Sequence, residues 1–513
     1  MVKIKTPLSL ACALVLAVAG CDASGPAITR FDPSTIDYDT VSTVDYDRDV
    51  RPLLEARNVF GATGSARTAG YAYAALFESA WGETIIPFDG ASPLLRLATD
   101  SLAPGIAHPY PNLTDLEPDE VRFLTRWIEG GARGPAGVPA YADARNLLYV
   151  CNQLDGRVAI VDTDRMRTIR TVAFEALGQP ADARPHHVVA EPDGSAWYVA
   201  LIAGGDGEGA VLRLSGSLAL DPADPGYLLA SSTASGTFET PGMLALAAGR
   251  LYAGRSFSAA STSNGVAQFA PAEALALEAV TTPPFHPHAI GATPDGRFFL
   301  TAGLSSPNQI LLYDAATQDV VATAPVPDGL AFVQFAVGPA GRRAVLTSQL
   351  SGELFELAID PDAPAVSVTR RTPVGQQPWH PALSPDGRVA YVPNRISNSV
   401  SFVDLSTGAV TRTVDNASAG SIVFSQPHGA ALSADGRTLF VSNRNRTMSG
   451  VALYQPPLRF RAPDGTPEPA DRYANVVAID TRTGAVLGVV PQGRWASGLA
   501  TVRRPSASRL SLP

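Results

Sequence analysis

Residues 185–201 read PHHVVAEPDGSAWYVAL, 287–303 PHAIGATPDGRFFLTAG, 381–394 PALSPDGRVAYVPN and 427–443 PHGAALSADGRTLFVSN. Each is a short apolar run, a tight Pro-Asp-Gly or Ala-Asp-Gly turn, and a second apolar run, which is the pattern of a two-stranded hairpin. A second set follows the first: GRVAIVDTDRMRTIRTV at 156–172, NQILLYDAATQDVVATA at 308–324, NSVSFVDLSTGAVTRTV at 398–414 and ANVVAIDTRTGAVLGVV at 474–490. Together they form a unit recurring at about 40 to 50 residues, the period of a propeller blade. Counted outward, the units fall at 147–174, 185–234, 240–282, 287–326, 332–374, 378–416 and 427–493, the last with a polar, Pro-rich insertion near 455–473. The first unit lacks an opening strand, and GRWASGLATV at 493–502 supplies one from the far end of the chain. That spacing predicts seven blades closed by the C-terminal strand, which removes the open sheet edges of a linear array. Asp193, Asp295, Asp386 and Asp435 are read as turn formers rather than catalytic acids.

These motifs resemble the YVTN-type β-propeller family over about residues 145–503. The fold expected is therefore mainly all-β, a seven-bladed propeller preceded by a small helical domain, with residues 504–513 as a tail.

The chain of 513 residues begins with Lys3, Lys5, an apolar run from Leu8 to Ala19, and Val18-Ala19-Gly20-Cys21. This reads as a secretory signal, too short for a membrane span, with cysteine directly after the expected cleavage position. It resembles a bacterial lipobox, which implies a signal peptide over 1–20, lipidation at Cys21, and a body held at the cell envelope facing the periplasm or exterior. Of 3 cysteines, Cys12 leaves with the signal, and Cys151 is then without an intramolecular partner. Residues 21–44 read as a flexible linker.

From Asp45 the periodicity turns helical, with further helices expected near 68–80 and 92–99. The clearest runs from Pro118 to Glu129, with Val121, Leu124 and Ile128 as its stripe and Gly130-Gly131 as its stop. The segments DYDRDVRPLLEARNVFGATG, IIPFDGASPLLRLA and LEPDEVRFLTRWIEGGARGP resemble small c-type cytochrome domains over residues 45–134. The haem-attachment CxxCH of that family is replaced by Asn58, Val59, Phe60, Gly61 and Ala62, and His108 is the domain's single histidine. Haem c is therefore not expected.

Six of the 7 histidines occupy one place in the repeat. His186, His288 and His428 lie seven residues before the turn Asp, His187 and His380 six before it, and His286 nine before it. In a propeller this is the start of the innermost strand, so His186, His187, His288, His380 and His428 are expected to line one channel mouth as a candidate metal site. Neutral imidazoles suit copper or another transition metal. The alternative is that Pro-His caps the inner strands, as in YVTN-like and lactonase-like propellers. Arg184, His286, Gln377, Trp379 and Gln426 would form a polar, partly aromatic rim for a small ligand.

The formal charge of −9 leaves no basic surface for phosphate backbones, so nucleic acid is not an expected partner. No Ser/His/Asp set, phosphate loop or CxxC is recognisable, and no catalytic residue is assigned. The reading with fewest assumptions is a lipid-anchored envelope scaffold, docking other envelope proteins through the propeller face and the haemless domain. A redox or copper-type metal protein serving electron-transfer partners is the first alternative. A lactonase-like hydrolase is the second.

Overall fold

A computed structural model describes residues 44–61, 70–79, 83–99, 101–202, 209–232, 238, 240–255, 264–446 and 452–505. The expected signal, Cys21 and most of the expected linker lie outside the described residues, as does nearly all of the expected tail.

Seven four-stranded antiparallel sheets are present, each beginning at the central axis. Blade 2 is representative: Arg184–Ala190, Ala196–Ile202, Ala210–Ser215 and Leu228–Ser231 pair in chain order. Its inner hairpin turns through Gly194 at φ 71°, a left-handed conformation that glycine adopts without strain. Asp193 accepts a hydrogen bond from the Ser195 amide at 2.9 Å. Asp295, Asp386 and Asp435 cap the equivalent turns through the amides of Arg297, Arg388 and Arg437, each at 3.1 Å. The repeated acids are thus consumed by turn geometry.

In blade 1 the sheet order places the last strand innermost: Ala496–Arg503, then Asn146–Asn152, Arg157–Asp162 and Arg167–Ala173. Val150 faces Leu499 and Leu148 faces Thr501 across this seam. The seven inner strands pack side by side from blade 1 round to blade 7 and back to blade 1.

Among its described residues, the N-terminal region contains four α-helices: α1 (Arg51–Ala56), α2 (Tyr73–Glu78), α3 (Pro93–Ala98) and α4 (Pro118–Glu129). At the start of α4 the Glu117 amide donates to the Glu120 carboxylate at 2.8 Å, satisfying a group that a helix start leaves unpaired. Its buried face is Phe123, Leu124, Trp127 and Ile128. Val121 is only half-buried and packs at the edge of the core that Phe123 and Trp127 enter.

One apolar core runs from Tyr46 and Trp127 in the helical region through Tyr149, Trp197 and Tyr227 of blades 1 and 2. Arg170 stitches the two parts together, donating to the Ala140 carbonyl at 2.8 Å while its guanidinium lies 5.0 Å from the Phe88 ring centroid. The blade-7 insertion closes over the other side. Arg96 pairs with Glu468 at 3.0 Å and stacks 4.0 Å over Phe460, and Ala103 donates to the Arg459 carbonyl at 2.9 Å. Among the described residues no helix is long and apolar enough to cross a membrane.

Candidate functional site

The inner strands enter the channel through an unusual backbone. Thr240, Gln377, Gln426 and Trp495 stand immediately before, or a few residues before, the inner strands of blades 3, 6, 7 and 1, with φ of 51°, 51°, 56° and 58°. Three of the four precede proline, where extended backbone is strongly preferred, so each stores about 1–3 kcal/mol of strain. The strands then bulge, with register shifts between Pro185 and His187, Pro241 and Met243, and Pro427 and Ala430. A bulge breaks the strict alternation of side chains. Adjacent residues His186 and His187 thereby both join the cluster. Gly498 on the closing strand makes room for them, since a Cβ there would lie 2.5 Å from the His186 carbonyl oxygen.

His186 sits among three other rings, with centroid distances of 5.9 Å to His288, 6.0 Å to His380 and 5.8 Å to His428. His380 and His428 approach to 4.4 Å, and His187 lies 5.6 Å from His380. All five are buried. Burial lowers every one of them, His288 to about 4 and His187 to about 3, so they are neutral at pH 7.

Their hydrogen bonds distinguish two groups. His288 donates from Nδ1 to the Val333 carbonyl at 2.7 Å, which leaves Nε2 as an acceptor. His187 accepts at Nδ1 from the Leu244 amide at 3.3 Å. By contrast, both ring nitrogens of His380 and of His428 are buried without a hydrogen-bond partner, as is Nε2 of His186. Buried nitrogens of this kind are rare in folded proteins, and here they are concentrated on rings that face one another.

Above the histidines stands a ladder of alternating cations and indoles. Arg395 lies 5.2 Å from the Trp379 ring and Arg444 5.9 Å from it. Arg444 also lies 5.2 Å from Trp495, and Arg446 4.7 Å from the same ring. Arg444 is 7% exposed, and its Nη2 reaches only Gln153 Oε1 at 3.4 Å. Burial lowers it from its ordinary 12.5 to about 9, and the neighbouring charges of Arg395 and Arg446 add to the effect. Among the described residues no carboxylate pairs with any of the three arginines.

Of the rim expected from sequence, Trp379 is central and Gln426 is fully buried beside the cluster. Gln377 lines a 550 Å³ cleft with Gln349 and Ile396. Arg184 is exposed at the mouth of blade 2, and His286 is half-buried in the loop before blade 4. Sequence reasoning missed Arg395, Arg444 and Arg446. The signal was the repeated Asn-Arg at 394–395 and 443–444, equivalent positions whose arginine amides donate to the carbonyls of Gln377 and Gln426.

The five histidines expected as metal ligands do converge. Among the described residues, however, no set of three or more His, Cys, Asp or Glu side chains is disposed to hold a metal ion. In the helical region, His108 contacts the Leu97 carbonyl through Nε2 and accepts from the Tyr110 amide at Nδ1, both at 3.0 Å. Its two nitrogens are thus engaged, and Phe60, which stands in the CxxCH segment, stacks on Tyr71 at 4.5 Å. Cys151 is buried, which pushes its thiol up and away from reactivity.

Residues 281–445 match the family model described as "Lactonase, 7-bladed beta-propeller". That stretch, roughly a third of the chain, supplies His288, His380, His428, Trp379, Arg395 and Arg444. The described residues form a seven-bladed β-propeller of the same kind. Two solved structures are similar to the chain. One is a putative 6-phosphogluconolactonase from Bacteroides fragilis NCTC 9343, at 15% identity over 71% of this chain and 99% of that one, with a TM-score of 0.49. The other is a putative 6-phosphogluconolactonase from Bacteroides uniformis ATCC 8492, at 14% identity over 70% and 100%, with a TM-score of 0.50. No curated protein sequence matches the chain.

Proposed function

We propose that the protein is a lactone hydrolase acting at the histidine-lined mouth of the propeller. The observation that carries the reading is the pair His380 and His428, neutral, buried and unpartnered, beside the uncompensated Arg444 within the lactonase-matching stretch. A lactone carbonyl seated there would meet the two groups its hydrolysis needs. One imidazole accepts a proton as water attacks the carbonyl carbon, and the Arg444 guanidinium holds the developing oxyanion. The ring C–O bond then breaks, and the imidazolium returns the proton to the leaving alkoxide, giving a hydroxy acid. The scaffold reading loses ground, because the feature that stands out is an inward-facing site rather than a docking face. With lipidation at Cys21, the reaction would take place outside the cytoplasm.

The test is lactone hydrolysis by the mature chain, followed by pH-stat on γ- and δ-lactones. Substitution of His380 or His428 by Gln is expected to lower kcat/KM by about 10²-fold or more. Because both imidazoles are already neutral, the wild-type rate should not change between pH 6.5 and 8.5 through their titration. Hydrolysis no faster than in buffer, or retained in both variants, would overturn the reading.

A metal reading keeps one observation in its favour. Two imidazoles on one tetrahedral ion have centroids about 5.3 Å apart, given ~2.1 Å metal–nitrogen bonds. The separations around His186 are close to this. Against it stands the positive field of Arg444, which bears on His186, His288, His380 and His428 alike. Stoichiometric copper, zinc, nickel or iron in the purified protein, lost in a His186/His288/His428→Ala variant, would replace the hydrolase by a metalloprotein.

A further inference from the structure

Away from the channel mouth, a cleft of about 490 Å³ opens where three parts of the chain meet: the helical region, the blade-7 insertion, and the outer strands of blades 7 and 1 (Val486–Gln492 and Arg167–Ala173). We infer that this cleft is a second ligand site, independent of the hydrolase reading, for an uncharged and mainly apolar molecule that presents one O–H or N–H donor. Its size lies within the range of small-molecule pockets, which concentrate at junctions of this kind.

The donor requirement comes from Asn152. This residue ends the blade-1 strand Asn146–Asn152, lines the cleft and is only 4% exposed. Its Nδ2 donates to Gln492 Oε1 at 3.3 Å, and Gln492 Nε2 donates onward to Thr168 Oγ1 at 3.4 Å. Its Oδ1 is buried with no hydrogen-bond partner. An amide oxygen accepts and cannot donate, and leaving it unmet costs its full desolvation, so the site calls for a donor. Gly493 keeps that end of the cleft clear. A Cβ there would lie 3.4 Å from the Asn152 Cβ and would collide with the Asp155 carboxylate.

The lack of charge follows from the walls. Arg472 pairs with Asp155, Arg96 with Glu468 at 3.0 Å, and Arg157 with Asp89 at 3.9 Å. Arg167 donates to the carbonyls of Phe77 at 2.8 Å and Ser79 at 3.4 Å, and Glu83 is exposed at the lip. An ion entering here would break one of these pairs or lose its water without a counter-charge, and either is costly. Between the pairs the surface is apolar. Met166 and Val490 come from the blades, Ile86 from the helical region, and Pro456, Leu458 and Phe460 from the insertion. Burial of an apolar body against these side chains supplies affinity, and the contact to Asn152 supplies orientation.

The test is calorimetric titration of the mature full chain with three naphthalenes of nearly equal size. β-Naphthol carries an O–H donor, β-naphthyl methyl ether carries none, and β-naphthoate is an anion at pH 7. Leu458→Trp fills the cleft from the insertion side. Only binding lost in that variant is counted, which separates the cleft from the arginines of the channel mouth. β-Naphthol is expected to bind about tenfold or more tightly than either of the others, since it alone meets the buried acceptor without bringing a charge. Asn152→Leu should bring β-naphthol to within about twofold of its methyl ether while the ether still binds. Thermal melts establish that each variant is folded. Should Asn152→Leu not melt cooperatively, the wild-type ratio together with Leu458→Trp decides the matter.

Equal affinity for β-naphthol and its ether, or a preference that survives in folded Asn152→Leu, overturns the inference. So does tighter binding of β-naphthoate within the cleft. Binding that is absent, or unchanged in folded Leu458→Trp, leaves the cleft to water and overturns it as well. The hydrolase reading fails separately: a chain that binds β-naphthol in this way and turns over no lactone keeps the second site and loses the hydrolase.

Discussion

Replacing Arg444 by methionine should make the ligand-free protein more stable. The side chain is enclosed, its best acceptor is Gln153 Oε1 at 3.4 Å, and no carboxylate compensates it among the described residues. Lowering a guanidinium from 12.5 to about 9 corresponds to roughly 5 kcal/mol of penalty on its charged form, at ~1.4 kcal/mol per pH unit. The two indole contacts return about 1–2 kcal/mol. Methionine fills a similar volume against Trp379 and Trp495, so the expected net gain is about 1–4 kcal/mol. Urea denaturation at pH 7, without added ligand, measures it. The sign with pH is also fixed. A base depressed in the folded state carries its full penalty below the folded value and loses it as pH rises from about 9 towards 12.5. The advantage of Arg444→Met should therefore shrink at pH 10. A variant destabilised by more than about 1 kcal/mol, or an advantage that grows with alkalinity, would refute the reasoning by showing that Arg444 has a compensating partner.

Acid should act on the histidine cluster in the opposite range. The unfolded chain binds protons below about 6.5 while the buried rings do not, so stability falls as pH drops from 6.5 towards 4, by about 1.4 kcal/mol per pH unit for each such histidine. His380→Gln and His428→Gln should flatten that slope in melts between pH 7.5 and 4.5, and an unchanged slope would place the acid sensitivity elsewhere. Removing the residues from Ala496 onward should leave blade 1 with three strands and exposed Leu148 and Val150, giving insoluble or protease-sensitive protein; a soluble, cooperatively melting truncation would contradict the seam. Cys21→Ser should move the protein from the membrane fraction to the soluble envelope fraction, and unaltered membrane association would count against lipidation.

Much of the fold was legible because propeller blades are local. Each Pro-Asp-Gly turn is decided within four residues, and each strand by its neighbours, so the repeat could be counted from sequence. The closing strand was readable too, since 493–502 repeats a blade's opening without a blade to follow. The histidine convergence came from the same register. What escaped was whatever depends on the space between blades. Trp495 belongs to the closing strand's approach, yet its contacts come from blade 7, and Arg444 acquires its character only from burial beside Arg395 and Arg446. Sequence spacing shows that imidazoles meet, but not which nitrogens lack partners or what charge faces them. In α4 the spacing favoured Val121, Leu124 and Ile128, whereas the fully buried face also takes in Phe123 and Trp127 and leaves Val121 at its edge.

The seam in blade 1 also sets a schedule. Val150 cannot meet Leu499 until all the residues between them have been made. Contacts of such long sequence separation form late, because loop-closure entropy precedes any reward from pairing. Blade 1 and the helices packed on it must wait, with a bare inner edge, for the last strand to arrive. During that interval the unfinished edge is a template for pairing with other chains, so the yield of native protein is set by a race between the arriving tail and its neighbours. Once the tail docks, the same separation works in reverse: opening the ring requires the first and last blades to part together, which makes the closed form slow to unravel.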